Sequence, residues 1–266
     1  MNEKVLVIGV GEIGKPLLEL IREKYEAYGL DIKPVEPIPE CEIMHLCFPY
    51  DGENFIQQSL RYIARYRPSL VIINSTVAPG TTRRIATESH TPAVNSPVRG
   101  KHARMKQEML QYTKFVGAIT PEAGERAAQH FTNIGMRVKL VSSPETSELT
   151  KLTETTYFGL LIAWAQELER YSRKLGVDYG EVISFYEEIP YLPPVKFFPG
   201  VIGGHCVLPN IRILKQLFSS GMLEAMEKSN ELKRQGLGVE GWTTPADAEQ
   251  GNANAADSRA RTVAAA

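Results

Sequence analysis

The chain has 266 residues, 43% hydrophobic and 23% charged, enough to bury one large core or two modest ones. A formal net charge of -1 gives no global attraction to nucleic acid or to an anionic membrane, so any anion site has to be local. The three cysteines, Cys41, Cys47 and Cys206, lack the spacing of a disulfide framework or a paired zinc motif, and no apolar run approaches a signal core or a membrane span. A cytoplasmic protein without nucleic-acid or membrane partners is expected.

From residue 4 to about 141, short apolar runs rich in β-branched residues, "KVLVIGV", "IMHLCFP", "SLVIINST", "KFVGAI" and "RVKLVSS", read as strands. Between them, "EIGKPLLELIREKYEAY", "GENFIQQSLRYIARY" and "PEAGERAAQHFTNIG" repeat apolar residues at helical spacing. This alternation predicts a doubly wound parallel sheet covered by helices on both faces, over residues 1–142. At Ser143 the texture changes. Leu149, Leu152, Leu160, Trp164, Leu168 and Leu175 mark a long central helix, which opens an all-helical domain over residues 143–236. "NIRILKQLFSS" and "GMLEAMEKSNELKRQ" continue that domain. Residues 237–266 are rich in Ala, Gly, Asn, Thr and Asp, with almost no apolar periodicity, and are expected to be a disordered tail.

"VLVIGVGEIGKPLLEL" sets Gly9, Gly11 and Gly14 in GxGxxG spacing directly after a strand and at the mouth of an amphipathic helix, with Glu12 and Ile13 inside the turn. The glycines serve a tight turn, a close approach of backbone to pyrophosphate, and close packing of helix on strand. The helix N-terminus offers N–H groups to the phosphates. "YGLDIKP" then supplies Asp31, whose carboxylate suits the ribose hydroxyls and repels a 2'-phosphate. The first domain is therefore expected to be a Rossmann-like NAD-binding domain, with Lys33 close enough to soften the preference against NADP. The bland alternative is a glycine turn that binds no cofactor.

Three further stretches follow in order: "NSTVAPGTTRR" at 74–84, "ELTKLTETTYFGLLIAWAQELERYSRKLGVDYGEVI" at 148–183, and "PGVIGGHCVLPN" at 199–210. Through them and the opening motif, over roughly residues 4 to 235, the chain resembles the UDP-glucose/GDP-mannose 6-dehydrogenase family. The resemblance implies NAD-dependent oxidation of a sugar-nucleotide alcohol to the carboxylate in two hydride transfers, through a cysteine-bound thiohemiacetal and thioester. It also implies a homodimer through the long helix. Cys206 is the natural nucleophile, since a thiol between a glycine-rich turn and "VLPNIRILKQLF" falls near a helix N-terminus. Gly203 and Gly204 let a substrate carbon approach the backbone. His205 either shapes the turn or acts as a base, and the first reading is favoured because adjacent side chains point apart. Lys151 shares a helix face with Glu148 and Thr155; taken alone it marks a solvated face, and the resemblance makes it the lysine that stabilises the developing alkoxide. Thr76 is a capping hydroxyl on its own and, by resemblance, a cofactor-side group that helps hold the reacting water.

The chain also departs from the family. It carries Thr155 in place of an asparagine, Asn210 in place of an aspartate, and Val98 where an acidic residue follows a proline. Asn210 cannot serve as a base at any pH. The family's C-terminal nucleotide-gripping domain has no counterpart in residues 237–266, which points to a smaller anionic or sugar-derived substrate. In the loop that lost its acid, Arg99, Lys101, His102, Arg104 and Lys106 either bind a phosphate or carboxylate or form a solvated charged loop. His45, His90 and His130 are scattered singly and lack ligand spacing, so no metal is expected; Cys41 and Cys47 read as core. Three readings stand: a nucleotide-sugar 6-dehydrogenase using Cys206, a one-step hydride transfer similar to that of the 3-hydroxyacid dehydrogenases using Lys151, and a decayed NAD-binding regulatory protein.

Overall fold

A computed structural model describes residues 3–31, 38–100, 104–189, 199–204 and 206–236. Lys33, Lys101, His102, His205 and the tail 237–266 lie outside the described residues. The chain divides into two compact units, Met1–Lys151 and Leu152–Ala266.

In the first unit the described residues form a seven-stranded sheet. Its strands are β1 (Lys4–Ile8), β2 (Glu26–Leu30), β3 (Ile43–Leu46), β4 (Leu70–Ile73), β5 (Ala93–Asn95), β6 (Lys114–Ala118) and β7 (Val138–Val141), in the order β2-β1-β3-β4-β5-β6-β7. β3 and β4 are buried throughout, which is why they read as unbroken apolar runs instead of alternating. On one face, helices α1 (Gly14–Arg22), α4 (Met105–Gln111) and α5 (Pro121–Asn133) close a core that includes Leu17, Ile21, Met109 and Phe131. On the other face, α2 (Glu53–Tyr66) and α3 (Thr81–Ser89) close a second core with Phe55, Ile63 and Ile85.

Two expectations are corrected here. The sheet is not wholly parallel, because β6 runs antiparallel to β5; the chain leaves β5 and returns at the same end through α4 and never crosses back over the sheet. The helix expected through Tyr28 stops at Arg22, and residues 26–30 instead pair with β1 from Lys4↔Glu26 to Ile8↔Leu30. Sheet pairing of an edge segment outweighs a weak helical period there. β5, α3 and α4 were not foreseen. Each is short, with too few residues to display a period.

Helix α6 (Pro144–Leu175) begins where the sequence texture changes and runs through the division between the units. Its first turns lie against the sheet: a Cβ at Gly117 of β6 would overlap Ser143 O, and Ser147 Oγ donates to Asn95 Oδ1 at 2.7 Å. In the second unit α7 (Tyr179–Glu187), α8 (Val207–Leu217) and α9 (Gly221–Gly236) follow. Asp178 caps α7 by accepting from Glu181 N at 2.9 Å. Gly159 brings the α6 backbone against α8, since a Cβ there would run into Val207 Cγ1. Of the apolar positions that marked the long helix, Leu168 is buried while Trp164 and Leu175 are exposed.

Candidate functional site

The order β2-β1-β3 makes the carboxyl ends of β1 and β3 the point at which the winding direction reverses, where open α/β sheets leave a crevice. β1 leads directly into the glycine turn. Gly9 has φ +87°, and a Cβ there would stand 2.7 Å from Phe48 N, just beyond β3. A Cβ at Gly14 would overlap Gly9 O, whereas at Gly11 it would meet open space. The three glycines thus have separate causes: a positive φ, an exposed approach surface, and a helix start pressed onto the turn. No side chain caps the N-terminus of α1. Glu12 is exposed, and Ile13 is half-buried against the core. Gly9 N donates to Leu30 O at 2.8 Å, which draws the end of β2 and the exposed Asp31 to the same edge. These residues fit a dinucleotide, with pyrophosphate over Gly9–Gly14 and a ribose diol at Asp31.

Beyond β4, Ser75 Oγ donates to Phe48 O at 2.6 Å, fastening the segment that carries the half-buried Thr76. Gly80, at φ +94°, turns the chain into α3. Glu148 reaches this turn from α6 and accepts from Gly80 N at 2.7 Å, Thr82 N at 2.9 Å and Thr82 Oγ1 at 2.6 Å. It is 1% exposed, and burial raises its pKa against the pull of those three donors. Lys151, half-buried, follows one turn later on α6. Sequence reasoning placed Glu148 beside Lys151 but gave it no task. Its task is to close the α3 N-terminus, whose N-cap residue Gly80 has no side chain to do so.

At the β5 and β6 end, Arg99 is fastened in place. Its Nη2 donates to Thr113 O at 2.7 Å, and its guanidinium lies over Phe115. Of the other basic residues in this loop that are described, Arg104 pairs with Glu108 and Lys106 with Glu23. Lys114 was missed. It is 6% exposed, and its Nζ donates to Ser96 O at 2.7 Å, Pro97 O at 3.2 Å and Asn74 Oδ1 at 3.3 Å. Burial brings its pKa down to about 7; Cys47 opposes that shift, and Lys151 and Arg99 add to it.

Two of the histidines, His45 and His130, are not scattered singly. His45 and His130 meet with Nε2 to Nε2 at 3.0 Å, both buried, and Asn74 Nδ2 lies 3.0 Å from His45 Nδ1. An 85-residue separation in sequence hides such a pair from any local spacing rule. Burial holds both imidazoles neutral, His130 down to about 4 and His45 well below its ordinary range. Burial also pushes the Cys41 and Cys47 thiols up to about 12, as suits Cys41 in the core and Cys47 packed, partly buried, against it.

In the second unit Cys206 is exposed and is the N-cap residue of α8. Gly204 has φ +73°, with open space where a Cβ would stand, and Gly203 beside it is half-buried. The loop is held by side chains that sequence reasoning passed over. Asn230 of α9 accepts from Ile202 N at 2.7 Å and donates to Ile202 O at 2.9 Å, so its amide stands in for a strand partner. Gln166 Nε2 donates to Gly200 O at 2.6 Å and Ser229 Oγ to Gln166 Oε1 at 2.9 Å. Asn210 is buried one turn after Cys206, and Thr155 is half-buried on α6. Among the described residues no group of His, Cys, Asp or Glu is arranged to hold a metal ion, and no helix is long and apolar enough to cross a membrane.

Residues 145–232 match the model of the UDP-glucose/GDP-mannose dehydrogenase family, central domain. UDP-N-acetyl-D-mannosamine dehydrogenase of Methanocaldococcus jannaschii is 22% identical, over 90% of this chain and 70% of its own. The enzyme of that name from Pyrococcus horikoshii is 27% identical, over 74% of this chain and 56% of its own. Those matches therefore span 56 to 70% of the relatives' length. Among solved structures, UDP-D-ManNAc dehydrogenase from Pyrococcus horikoshii superposes with a TM-score of 0.75 at 22% identity, covering 86% of this chain and 68% of that one. Mycobacterium tuberculosis 3-hydroxyisobutyrate dehydrogenase superposes with a TM-score of 0.70 at 12% identity, covering 87% and 94%. Residues 145–232 are thus similar to the central domain of the UDP-glucose/GDP-mannose dehydrogenase family, and the chain is similar to nucleotide-sugar dehydrogenases over most of its length.

Proposed function

We propose that the protein is an NAD-dependent oxidoreductase of the nucleotide-sugar 6-dehydrogenase type, oxidising a primary alcohol through an intermediate bound to Cys206. The observation that carries this reading is the glycine turn, where Gly14 admits no Cβ and Gly11 faces open space at the winding reversal of the sheet. Bound NAD supplies the hydride acceptor. Gly9, Gly11, Glu12, Ile13, Gly14 and Thr76 line its site, and Asp31 selects the ribose diol over a 2'-phosphate.

In this reading Lys151 holds the oxyanion that forms as the hydroxyl gives up its proton, and loss of a hydride from the same carbon leaves the aldehyde. The Cys206 sulfur adds to the aldehyde carbon, and the carbonyl oxygen takes up a proton to give a thiohemiacetal. Loss of a second hydride, for which a second NAD would be the acceptor, and of the hydroxyl proton leaves a thioester. Thr76 orients the water that attacks it, which releases the carboxylate and restores the thiol. Gly203 and Gly204 give the substrate carbon room beside the backbone, and Arg99 and Lys101 take an anionic group of a sugar-derived substrate. The names of the curated relatives support a nucleotide sugar as that substrate. Exposed Tyr157, Phe158, Trp164 and Tyr171 along α6 support a homodimer through this helix. Three free thiols support a cytoplasmic location.

Asn210, buried and without a titrating group, favours a second reading in which one hydride moves and no covalent step follows. The test is NADH formation across a panel of UDP-sugars, GDP-mannose, sugar phosphates and small hydroxy acids. Two NADH per substrate, with turnover lost in Cys206→Ser, supports the covalent enzyme; undiminished turnover in that variant supports the one-step reaction. No turnover on the panel, with NAD still bound, defeats both.

A further inference from the structure

Lys114 is a buried cation that the reading above leaves without a role. It begins β6, and the reversal between β5 and β6 brings that beginning to the carboxyl ends of β4 and β5. Three oxygens converge on its Nζ: Ser96 O at 2.7 Å, Pro97 O at 3.2 Å and Asn74 Oδ1 at 3.3 Å. The ring of Phe131 on α5, 5.1 Å away, lies to one side. An ammonium has three N–H donors and an amine has two plus a lone pair. The three acceptors therefore match the charged form, and the amine leaves one oxygen facing a lone pair.

Asn74 carries the constraint inward. Its Oδ1 accepts from Lys114, so its Nδ2 is directed at His45 Nδ1, 3.0 Å away. His45 then bears its proton on Nε2 and donates to His130 Nε2, and His130 Nδ1 is buried without a partner. The order of donors runs one way, from Lys114 at the start of β6 to His130 on α5. Asn74 is also two residues from Thr76, and Pro97 is two from Arg99, so the ammonium joins the two segments that bear these proposed site residues.

We propose that Lys114 is a positioning residue that works as a pH-sensitive latch: as an ammonium it ties the Ser96–Pro97 segment to Asn74, and as an amine it releases one of the two longer contacts. The charged and titratable groups around it are His45 of β3 and Cys47 beyond it, Arg99 after β5, and Lys151 of α6. Arg99 and Lys151 disfavour its charge, so anionic substrate near either one closes the latch. The link to catalysis rests on the active-site reading above; the latch itself does not.

The test therefore needs neither cofactor nor substrate. The full chain, labelled with ¹⁵N and with ¹³C in lysine, is titrated by NMR from about pH 6 to about pH 9, a range that excludes ordinary lysines. Lys114 Cε is assigned through its contact with the Phe131 ring. The amide nitrogen of Val98 reports the Pro97 carbonyl, and the Asn74 side-chain amide reports the other contact. The expected result is a single-proton curve for Lys114 Cε, shared in midpoint by Val98 or Asn74 and absent for both in Lys114→Arg, whose charge is permanent. Three results would overturn the proposal: no titration of Lys114 in this range, titration with neither reporter moving, or a reporter curve that persists in Lys114→Arg. If that variant does not fold, the agreement or disagreement of midpoints in the native chain decides. Failure of the substrate panel with the latch intact would refute the enzyme reading alone.

Discussion

Buried side chains with little freedom to change partners govern the first unit at the scale of single residues. Glu148 satisfies two backbone N–H groups and a hydroxyl at the start of α3. Glu148→Ala leaves the buried Thr82 N–H and hydroxyl and the half-buried Gly80 N–H without their acceptor, and we expect a loss of about 2–4 kcal/mol, measured by urea denaturation. Glu148→Gln should recover part of that, since one amide oxygen still accepts from Thr82. The buried histidines set the acid limit. Their folded pKa values are depressed, so below about 6.5, the ordinary histidine value, the unfolded chain binds more protons and stability falls as pH falls. The slope is about 1.4 kcal/mol per pH unit for each histidine while only the unfolded form is protonated. Lys114 acts with the same sign in a higher window. Its folded pKa of about 7 lies below the ordinary 10.5, so its contribution grows as pH rises from 7 towards 10.5. Denaturation midpoints measured across pH should rise through both windows, and Lys114→Met should flatten the upper one.

Two turns and their anchors carry the expected chemistry at the scale of elements. Gly14→Ala drives a Cβ into Gly9 O, which must displace either the turn or α1. We expect NAD binding, followed by calorimetry, to weaken at least tenfold, about 1.4 kcal/mol, while Gly11→Ala, facing open space, leaves the fold intact and blocks only the approach of the pyrophosphate. The Cys206 loop depends on Asn230, whose amide pairs with both polar groups of Ile202. Asn230→Leu keeps the branched outline of the side chain and removes both bonds, at a cost of about 2 kcal/mol or more. The alkylation rate of Cys206 should change with it, and the rates of Cys41 and Cys47 should not.

At the scale of the whole molecule, the large aromatic residues exposed along α6 set the prediction. If this face is a self-association surface, Trp164→Glu should shift light-scattering mass from dimer to monomer without altering the circular dichroism of the sheet unit. Aromatic residues near the centre of an interface carry much of its energy, so a loss of 2 kcal/mol or more, about thirtyfold in dimer affinity, is expected.

Local periodicity by itself determined the buried strands β1, β3 and β4, the amphipathic helices α1, α2 and α5, the long α6, and the glycine turn with Asp31. In each of these the physical signal lies within a few neighbouring residues: continuous burial on both faces of a strand, an apolar stripe on a helix, or a required φ. The same locality put Cys206 at a helix N-terminus. Only the tertiary structure decided the direction of β6, the pairing of residues 26–30 into an edge strand, and the meeting of His45 with His130. It also decided the convergence of Ser96, Pro97 and Asn74 on Lys114 and the tasks of Glu148 and Asn230. Those depend on partners between 17 and 85 residues away. A lysine on a strand or a glutamate on a helix looks the same in sequence whether water or a buried oxygen awaits it, and the desolvation that makes such a group matter is a property of the assembled core.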